Sequence, residues 1–284
     1  MSYKFGLIGY PLSHSMSKVI QEAALKSTGI EGSYELLETK QEDLISRVKY
    51  LRSRGFKGFN VTIPLKVPIT LFLSNVDNIA NVAGSANTIK INDDYSLSGY
   101  NTDVYGFLEA IPADLKNELQ GESIAVFGAG GAARAVGAGL SLLKAGNIDF
   151  YVRNIINASD MADNLRKNFP EVKINCIQIE NMYSLENYKM LVNTTPVGMK
   201  SNSPNKAFVS EKILKTMKPD SCVYDIVYNP LKTKLIKLAK KNGLRTIQGL
   251  DMLIYQGAKA FEIWTGKKPD INKMKIAALE EMID

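Results

Sequence analysis

The sequence predicts an α/β protein built from two domains. Short apolar runs with strand character alternate with longer segments in which apolar residues recur at helical spacing. Such an alternation favours largely parallel sheets covered by helices. The chain has 284 residues, 45% of them hydrophobic and 23% charged, which suits a globular protein with two domains of ordinary size.

The first domain is expected over residues 1–111. Glycines follow both of its first two predicted helices, at Gly29 and Gly55, where they would end those helices. Strands are predicted at 3–8, 33–37 and 58–61, helices at 15–28 and 41–54, and a hairpin at 86–91 and 96–100. Asp103 precedes a further predicted helix that extends to residue 111, and residues 112–121 form the expected connector.

The second domain is expected over residues 112–248. An apolar run at 123–127 leads into a glycine-rich turn and a predicted helix at 132–144. Further strands are predicted at 149–152, 174–178, 190–193, 222–226 and 245–248. Two amphipathic helices, at 250–265 and 273–283, follow this domain, and their periodicity alone does not place them.

The glycine-rich turn at residues 128–131 is typical of a loop that binds a dinucleotide. Gly128 permits a tight turn, and Gly130 lets backbone N–H groups approach a pyrophosphate. Ala133 lets the next helix pack closely on the strand, with its positive end towards the phosphates. A turn that uses glycine only for its backbone freedom is the alternative.

Composition excludes several classes of protein. The net charge is +6, but the lysines are scattered rather than grouped with aromatic residues, so no nucleic-acid partner is expected. No apolar run suggests a signal peptide or a membrane span, which predicts a cytoplasmic protein. Cys176 and Cys222 are expected to be reduced and buried, and a single histidine, His14, argues against a metal site or a serine–histidine triad.

Polar side chains cluster directly after several predicted strands, which is where open parallel sheets bind their ligands. Three such clusters stand in the first domain, at 9–17, 60–66 and 101–103. Each also has a plain structural interpretation. Ser13 or Ser15 could cap a helix, Lys66 could be a solvated lysine, and Asp103 could be an N-cap.

Taken together, these clusters resemble the shikimate dehydrogenase family over nearly the whole chain. Eight blocks carry the resemblance in order: PLSHS at 11–15, NVTIPLK at 60–66, ANTI at 86–89, GYNTD at 99–103, GAGGA at 128–132, NTTPVGM at 193–199, DIVYNP at 225–230 and GLDMLIYQ at 249–256. The resemblance implies an N-terminal α/β substrate domain and a Rossmann-type dinucleotide-binding domain. It also implies that the terminal helices, over 249–284, return to the first domain, and that the active site lies between the domains.

The family's reaction is the reversible, NADPH-dependent reduction of 3-dehydroshikimate to shikimate, a step towards aromatic amino acids. By resemblance, Lys66 and Asp103 are the catalytic residues. A lysine can stabilise and protonate the carbonyl oxygen as hydride arrives, and a paired carboxylate can orient the lysine. The residues that the resemblance assigns to the substrate are Ser13, Ser15, Asn60, Thr62, Asn87, Tyr228 and Gln256.

The resemblance implies NADP as the cofactor and no metal. The residues assigned to the cofactor are Gly128, Ala129, Gly130, Gly131, Ala132, Arg153, Thr194, Pro196 and Gly249. One basic residue that the family commonly carries after the second strand of this domain is replaced by Asn157. No acid stands at that strand end to hold a ribose 2′-hydroxyl, however, and Arg153 can bind a 2′-phosphate.

Two other functions stay open at this point. One is a quinate/shikimate dehydrogenase with relaxed use of NAD and NADP, which Val152 and Asn157 suggest. The other is a non-catalytic NADP-binding sensor of a metabolite, since a fold alone does not establish catalysis. The partner is expected to be a small-molecule substrate, and neither a heptad pattern nor an obvious patch predicts an oligomeric state.

Overall fold

A computed structural model describes residues 2–200 and 203–283 of the chain. The chain divides into two compact units. The first comprises the residues up to Gly106 together with those from Ile254 onwards, and the second comprises Phe107–Leu253. Within the described residues, no helix is both long enough and apolar enough to cross a membrane.

The first unit contains a six-stranded mixed sheet in the order β2-β1-β3-β5-β6-β4. Its strands are β1 Tyr3–Gly9, β2 Gly32–Glu38, β3 Gly58–Val61, β4 Asn75–Val76, β5 Thr88–Ile91 and β6 Leu97–Tyr100. Strands β2, β1 and β3 run parallel, as the alternation predicted. Strands β5 and β6 form the predicted antiparallel hairpin, and β5 is also antiparallel to β3.

Among the described residues, six α-helices belong wholly or partly to the first unit. They are α1 Ser17–Thr28, α2 Leu44–Ser53, α3 Asn78–Ala83, α4 Thr102–Ala110, α10 Gly249–Thr265 and α11 Ile271–Ile283. The divisions between the units fall within α4 and α10. Helix α11 contacts α1, which places this terminal helix in the first unit, as expected.

Two helix starts differ from the prediction for local reasons. Helix α1 begins at Ser17 rather than at residue 15, because the Ser15 Oγ accepts a hydrogen bond from the Ser17 N–H at 3.2 Å and forms a turn before the helix. Asp103 lies inside α4 rather than before it. The side chain of Asn101 accepts from the Val104 N–H at 3.3 Å and so caps this helix instead.

The second unit contains a fully parallel six-stranded sheet in the order β12-β11-β10-β7-β8-β9. Its strands are β7 Ser123–Phe127, β8 Asn147–Val152, β9 Lys173–Gln178, β10 Met190–Asn193, β11 Cys222–Asp225 and β12 Arg245–Gln248. The strand order reverses between β7 and β10, which is the switch point of a Rossmann-type sheet. The helices are α5 Ala113–Glu118, α6 Gly131–Leu142, α7 Ile155–Asn168, α8 Glu211–Leu214 and α9 Lys234–Lys241.

The expected connector at 112–121 contains the short helix α5. Pro112 precedes this helix, Asp114 stands in its first turn, and the fully buried Leu115 anchors it. A six-residue helix has too few positions to show a clear hydrophobic period, so the sequence reads as a loop.

The two cysteines are unpaired, but only one of them is buried as expected. Cys222 is fully buried, and burial raises the pKa of its thiol to about 12. Cys176 is half-buried rather than buried, and partial burial raises the pKa of its thiol above the ordinary value, with Arg166 offsetting part of this effect.

A thiol reagent at about pH 8 is therefore expected to modify Cys176 slowly in the native protein and to spare Cys222, because only the thiolate reacts. Mass spectrometry before and after addition of denaturant measures the outcome. In Cys176→Ser, labelling of the native protein should vanish. Two labelled thiols in the native wild-type protein would contradict this assignment.

Candidate active site

A lysine–aspartate pair forms the centre of the candidate site in the first unit. Lys66 stands in the segment that follows β3, directly after the fully buried Leu65, and Asp103 is the second residue of α4. The Lys66 Nζ lies 2.5 Å from the Asp103 Oδ2, and their side chains are only 15% and 8% exposed. The core beneath Leu65 therefore fixes the segment that presents the ammonium to the carboxylate.

Asn87 holds the other oxygen of this carboxylate. Its Nδ2 donates to the Asp103 Oδ1 at 2.8 Å and lies 3.4 Å from the Gln256 Oε1. The structure thus brings together four residues that the resemblance assigned to catalysis and substrate binding. They are Lys66 in the segment after β3, Asn87 directly before β5, Asp103 in α4 and Gln256 in α10. Asp103 receives a hydrogen bond on each oxygen, which fixes the plane of its carboxylate.

Asn60 is buried beneath this group with its amide fully engaged. Its Oδ1 accepts from the Tyr34 hydroxyl at 2.8 Å, and its Nδ2 donates to the Asn87 carbonyl at 3.1 Å and to the Thr88 Oγ1 at 3.0 Å. The amide has two N–H donors, and both have protein acceptors. The predicted contact of Asn60 with a substrate hydroxyl stays a prediction, whereas its contacts with Asn87 and Thr88 are structural.

Three hydroxyl residues stand at the carboxyl ends of β1 and β3, which are neighbours in the sheet. Ser13 is exposed, and Ser15 and Thr62 are half-buried. Ser15 uses its Oγ as an acceptor from Ser17, and no described residue accepts the hydroxyl hydrogens of Ser13, Ser15 or Thr62. These hydroxyl groups are therefore available as donors to an anionic or hydroxylated ligand.

In the second unit, the turn after β7 has the geometry of a phosphate-binding loop. Gly128 has a φ of +110°, which other residues rarely adopt, and a Cβ there would lie 2.7 Å from the Thr194 Oγ1. The Thr194 hydroxyl in turn donates to the Phe127 carbonyl at 2.5 Å. Thr194, which is predicted to contact the cofactor, thus also links the end of β10 to the end of β7 through this hydrogen bond.

The start of α6 suits a pyrophosphate. Gly130 is its N-cap, no side chain caps the helix there, and a Cβ at Gly130 would meet open space. The exposed N-terminal N–H groups and the helix dipole both favour an anion. Ala129, Gly131 and Ala132 are all half-buried around this turn, so small residues leave room for a ligand along the backbone.

The end of β8 carries a basic residue and no acid. Arg153 is exposed and forms no ion pair with a described residue. Asn154 caps α7 by accepting from the Asn157 N–H at 3.3 Å, so its side-chain oxygen is occupied. A second arginine, Arg134, which the sequence analysis did not single out, is 7% exposed and pairs with Asp160 at 2.6 Å. Arg153 is thus the cation at this strand end that has no acidic partner.

The remaining predicted residues lie after β10, β11 and β12 of the same sheet. Pro196 is exposed in a turn that a hydrogen bond from the Met199 N–H to the Pro196 carbonyl closes at 3.1 Å. Gly249 begins α10, and a Cβ at this position would collide with the Ile226 carbonyl, so close packing alone requires a glycine there. Tyr228 is half-buried after β11, in the second unit. Their contacts with ligands stay predictions.

Asp225 is a buried residue of this region that the sequence analysis did not assign a role. Its Oδ2 accepts from the Thr233 hydroxyl at 2.6 Å, and its Oδ1 accepts from the Asn193 amide at 2.9 Å and from the Val227 N–H at 3.1 Å. Burial raises the pKa of this carboxyl group, and the three donors offset part of that rise. Asp225 links β10 and β11 to the start of α9. Its position in the family block at 225–230 is the feature of the sequence that could have indicated its importance.

Comparison with known proteins finds shikimate dehydrogenases, both among family descriptions and among individual relatives. Residues 7–89 match the family described as shikimate dehydrogenase substrate binding domain, and residues 249–279 match the shikimate 5'-dehydrogenase C-terminal domain. A shikimate dehydrogenase (NADP(+)) of Methanococcus aeolicus is 38% identical over 97% of this chain and 96% of its own length.

Two solved structures bear on the ligands. The shikimate 5-dehydrogenase of Thermus thermophilus, solved with NADP(H) and shikimate, is 35% identical, with a TM-score of 0.82 over 98% of this chain and 99% of that one. The quinate dehydrogenase of Corynebacterium glutamicum, solved with NAD, is 27% identical, with a TM-score of 0.87 over 98% of this chain and 99% of that one. Both likenesses extend over both units.

Proposed function

The chain belongs to the shikimate dehydrogenase family, and we propose that it catalyses the NADP-dependent interconversion of 3-dehydroshikimate and shikimate. The observation that carries this proposal is the pairing of Lys66 with Asp103 at 2.5 Å, with Asn87 on the other carboxylate oxygen. A sensor without catalytic activity would need no such pair, so the enzyme is the better explanation of these three residues.

Lys66 and Asp103 would do the proton chemistry of the reaction. When bound, NADPH supplies the hydride that reduces the substrate's ring carbonyl. Negative charge then grows on the carbonyl oxygen, and the Lys66 ammonium would stabilise that charge and donate a proton to it. Asp103 would keep the ammonium in place and accept a hydrogen bond from a neighbouring substrate hydroxyl. In the oxidative direction, Lys66 would accept the proton instead.

The polar residues around this pair would position the substrate. The hydroxyl donors of Ser13 and Ser15 suit the substrate carboxylate, and the Thr62 hydroxyl and the side-chain amides of Asn87 and Gln256 suit its ring hydroxyls. We also propose Tyr228 and Asn60 as substrate contacts, on the strength of the family motif. A site of this kind discriminates against analogues that leave its buried polar groups unpaired.

The second unit would hold the cofactor. Gly128 would form the turn, since its own N–H donates to the Tyr151 carbonyl, and the backbone N–H groups of residues 129–132 would bind the pyrophosphate. Arg153 would bind the ribose 2′-phosphate. Thr194, Pro196 and Gly249 would complete the pocket at the ends of β10 and β12. The absence of an acid at 152–154 supports NADP over NAD, because an acid there is what would hold a free 2′-hydroxyl.

A second candidate activity is the oxidation of quinate with NAD. The Corynebacterium glutamicum structure motivates it, because a quinate dehydrogenase with NAD shares this fold at a TM-score of 0.87. The replacement of a common basic residue by Asn157 points the same way, since it removes one contact that would favour a phosphate. The first candidate remains better supported, because Arg153 is present and the relative at 38% identity uses NADP(+).

An assay that crosses shikimate and quinate with NADP and NAD tests the proposal directly. Initial rates are followed at the nicotinamide absorbance band. We expect kcat/KM for shikimate with NADP to exceed every other combination by at least about tenfold, the effect of one charge-assisted contact. A higher kcat/KM for quinate with NAD would favour the second candidate, and binding without turnover would favour a sensor.

The cytoplasm is the compartment that we propose for this reaction. Two unpaired cysteines support a reducing environment, because chains that fold in oxidising compartments commonly pair theirs. The same compartment would supply the reduced cofactor.

A further inference from the structure

A row of buried polar side chains runs across the sheet of the first unit and ends at the catalytic pair. Tyr34 on β2, Asn60 on β3 and Thr88 on β5 are 1%, 6% and 0% exposed. Each is hydrogen-bonded to the next, at 2.8 Å and 3.0 Å. Buried polar groups are costly unless they are paired, so a continuous row needs an explanation in terms of what it holds in place.

The last member of the row, Asn87, can have only one orientation of its amide. The Thr102 backbone N–H, which can only donate, lies 2.7 Å from the Asn87 Oδ1. The Asn87 Nδ2 must therefore face the Asp103 Oδ1, which accepts at 2.8 Å. The Thr88 hydroxyl supplies a further donor to the Asn87 Oδ1 at 3.2 Å. A reversed Asn87 amide would set oxygen against oxygen at Asp103.

The orientation of Asn60 is fixed in the same way. Its Nδ2 lies 3.1 Å from the Asn87 backbone carbonyl, which can only accept, so its Oδ1 must face Tyr34. The Tyr34 hydroxyl is then the donor. Thr88 accepts a hydrogen from Asn60, and its hydroxyl oxygen lies 3.2 Å from the Asn87 Oδ1 and 3.0 Å from the Thr102 Oγ1. Tyr34, Asn60 and Thr88 thus form one hydrogen-bonded group directly beneath the Asn87 side chain that holds Asp103.

The first donor keeps its hydrogen over the whole working pH range. Burial raises the pKa of the Tyr34 hydroxyl far above its ordinary value, and a hydrogen bond from the Ser17 side chain offsets only part of that rise. The Tyr34 ring is fixed as well, since it packs against Trp264 with ring centroids 6.5 Å apart. Tyr34 is therefore a permanent donor in a fixed position.

We propose that Tyr34 is a positioning residue of the catalytic site: it holds Asn60, and Asn60 in turn holds the Asn87 backbone and the Thr88 hydroxyl beneath the side chain that orients Asp103. The inference rests on the proposed function for its kinetic meaning. Tyr34 itself does not touch the pair; it pairs the buried Asn60 oxygen and so keeps Asn60 in contact with Asn87 and Thr88.

The variant Tyr34→Phe removes the donor and keeps the ring. The buried Asn60 oxygen then lacks its donor, so Asn60 holds the Asn87 backbone and the Thr88 hydroxyl less firmly. We expect kcat to fall about fivefold, the effect of one hydrogen bond of ordinary strength, with KM for NADP unchanged. Tyr224→Phe is the matched control, because Tyr224 is also fully buried but its hydroxyl has no hydrogen-bond partner among the described residues.

Two variants of Thr88, one without and one with a hydroxyl, separate an effect on positioning from an effect on packing. Thr88→Val removes the hydroxyl at nearly constant volume and should lower kcat as Tyr34→Phe does, whereas Thr88→Ser should recover most of the loss. An unchanged kcat in Tyr34→Phe, an equal fall in Tyr224→Phe, or a Thr88→Ser enzyme as slow as Thr88→Val would each overturn the proposal.

A measurement that does not depend on turnover completes the test. The side-chain ¹⁵N–¹H₂ resonances of Asn87, assigned by their loss in Asn87→Asp, should shift in Tyr34→Phe and stay in place in Tyr224→Phe. Unshifted Asn87 resonances in Tyr34→Phe would overturn the positioning role. A wild-type protein that binds but does not oxidise shikimate would instead count against the proposed function, and the resonances would still decide the role of Tyr34.

Discussion

Replacement of Lys66 by alanine is expected to lower kcat by about 10²- to 10⁴-fold, which is the contribution of a positioned general acid. Among the described residues, the charge of Lys66 has one acidic partner, the Asp103 Oδ2 at 2.5 Å, and only 15% of its side chain is exposed. Water would therefore be a poor substitute for the lost proton donor. NADPH binding, measured by fluorescence titration, should be unchanged, because the residues assigned to the cofactor lie in the second unit.

The same replacement leaves Asp103 without its counter-charge. The Asp103 side chain is 8% exposed, so the unpaired carboxylate is expected to destabilise the first unit by about 3 kcal/mol. The double variant Lys66→Ala/Asp103→Asn removes both charges and should regain part of that stability in urea unfolding without regaining turnover. This combination separates loss of catalysis from loss of folding.

A distant lysine provides the control for charge. Lys57 belongs to the same unit, its side chain is 53% exposed, and its Nζ lies 3.9 Å from the Asp93 carboxylate. Lys57→Ala should leave kcat within about twofold of wild type, as expected for an exposed ion pair of little energetic weight. Near-normal turnover in Lys66→Ala would exclude the lysine as the proton donor.

The sequence predicted the parts of the site that depend on local pattern. Strands β3 and β7 are short apolar runs, and polar or glycine residues follow them directly, so the ends of the strands could be placed to within a residue. Parallel pairing of strands then brings such ends to one edge of a sheet. The family motifs supplied the identities of Lys66 and Asp103, whose closeness the sequence alone does not establish.

The remainder depends on contacts between distant parts of the chain. Tyr34 looks like any core aromatic residue of a strand, and only the order β2-β1-β3 brings its hydroxyl across β1 to Asn60. Helix α3 was missed because its six residues show no hydrophobic period, although Asp77 caps it by accepting from the Ala80 N–H at 2.7 Å. Arg134 and Asp160 meet only because α6 and α7 pack against each other.

Replacement of Arg153 by alanine is expected to raise the Kd for NADP about 10- to 100-fold and to leave the Kd for NAD nearly unchanged. A hydrogen bond between a guanidinium and a phosphate contributes about 1.5–3 kcal/mol. NAD has no 2′-phosphate, so the variant removes no such hydrogen bond from its complex. Arg134 would not compensate, because its side chain is 9% exposed and already pairs with Asp160 at 2.6 Å. Fluorescence titration with each reduced cofactor measures the two affinities.

Lys167→Ala is the matched control for this prediction, because it removes one positive charge from the exposed far end of α7. If only the net charge of the unit mattered, both variants would weaken NADP binding alike and salt would abolish the difference. A contact with the 2′-phosphate instead requires that Arg153→Ala alone changes the ratio of the two affinities. Equal weakening of NADP and NAD in Arg153→Ala would assign the guanidinium to the part of the cofactor that both share, such as the adenine ring.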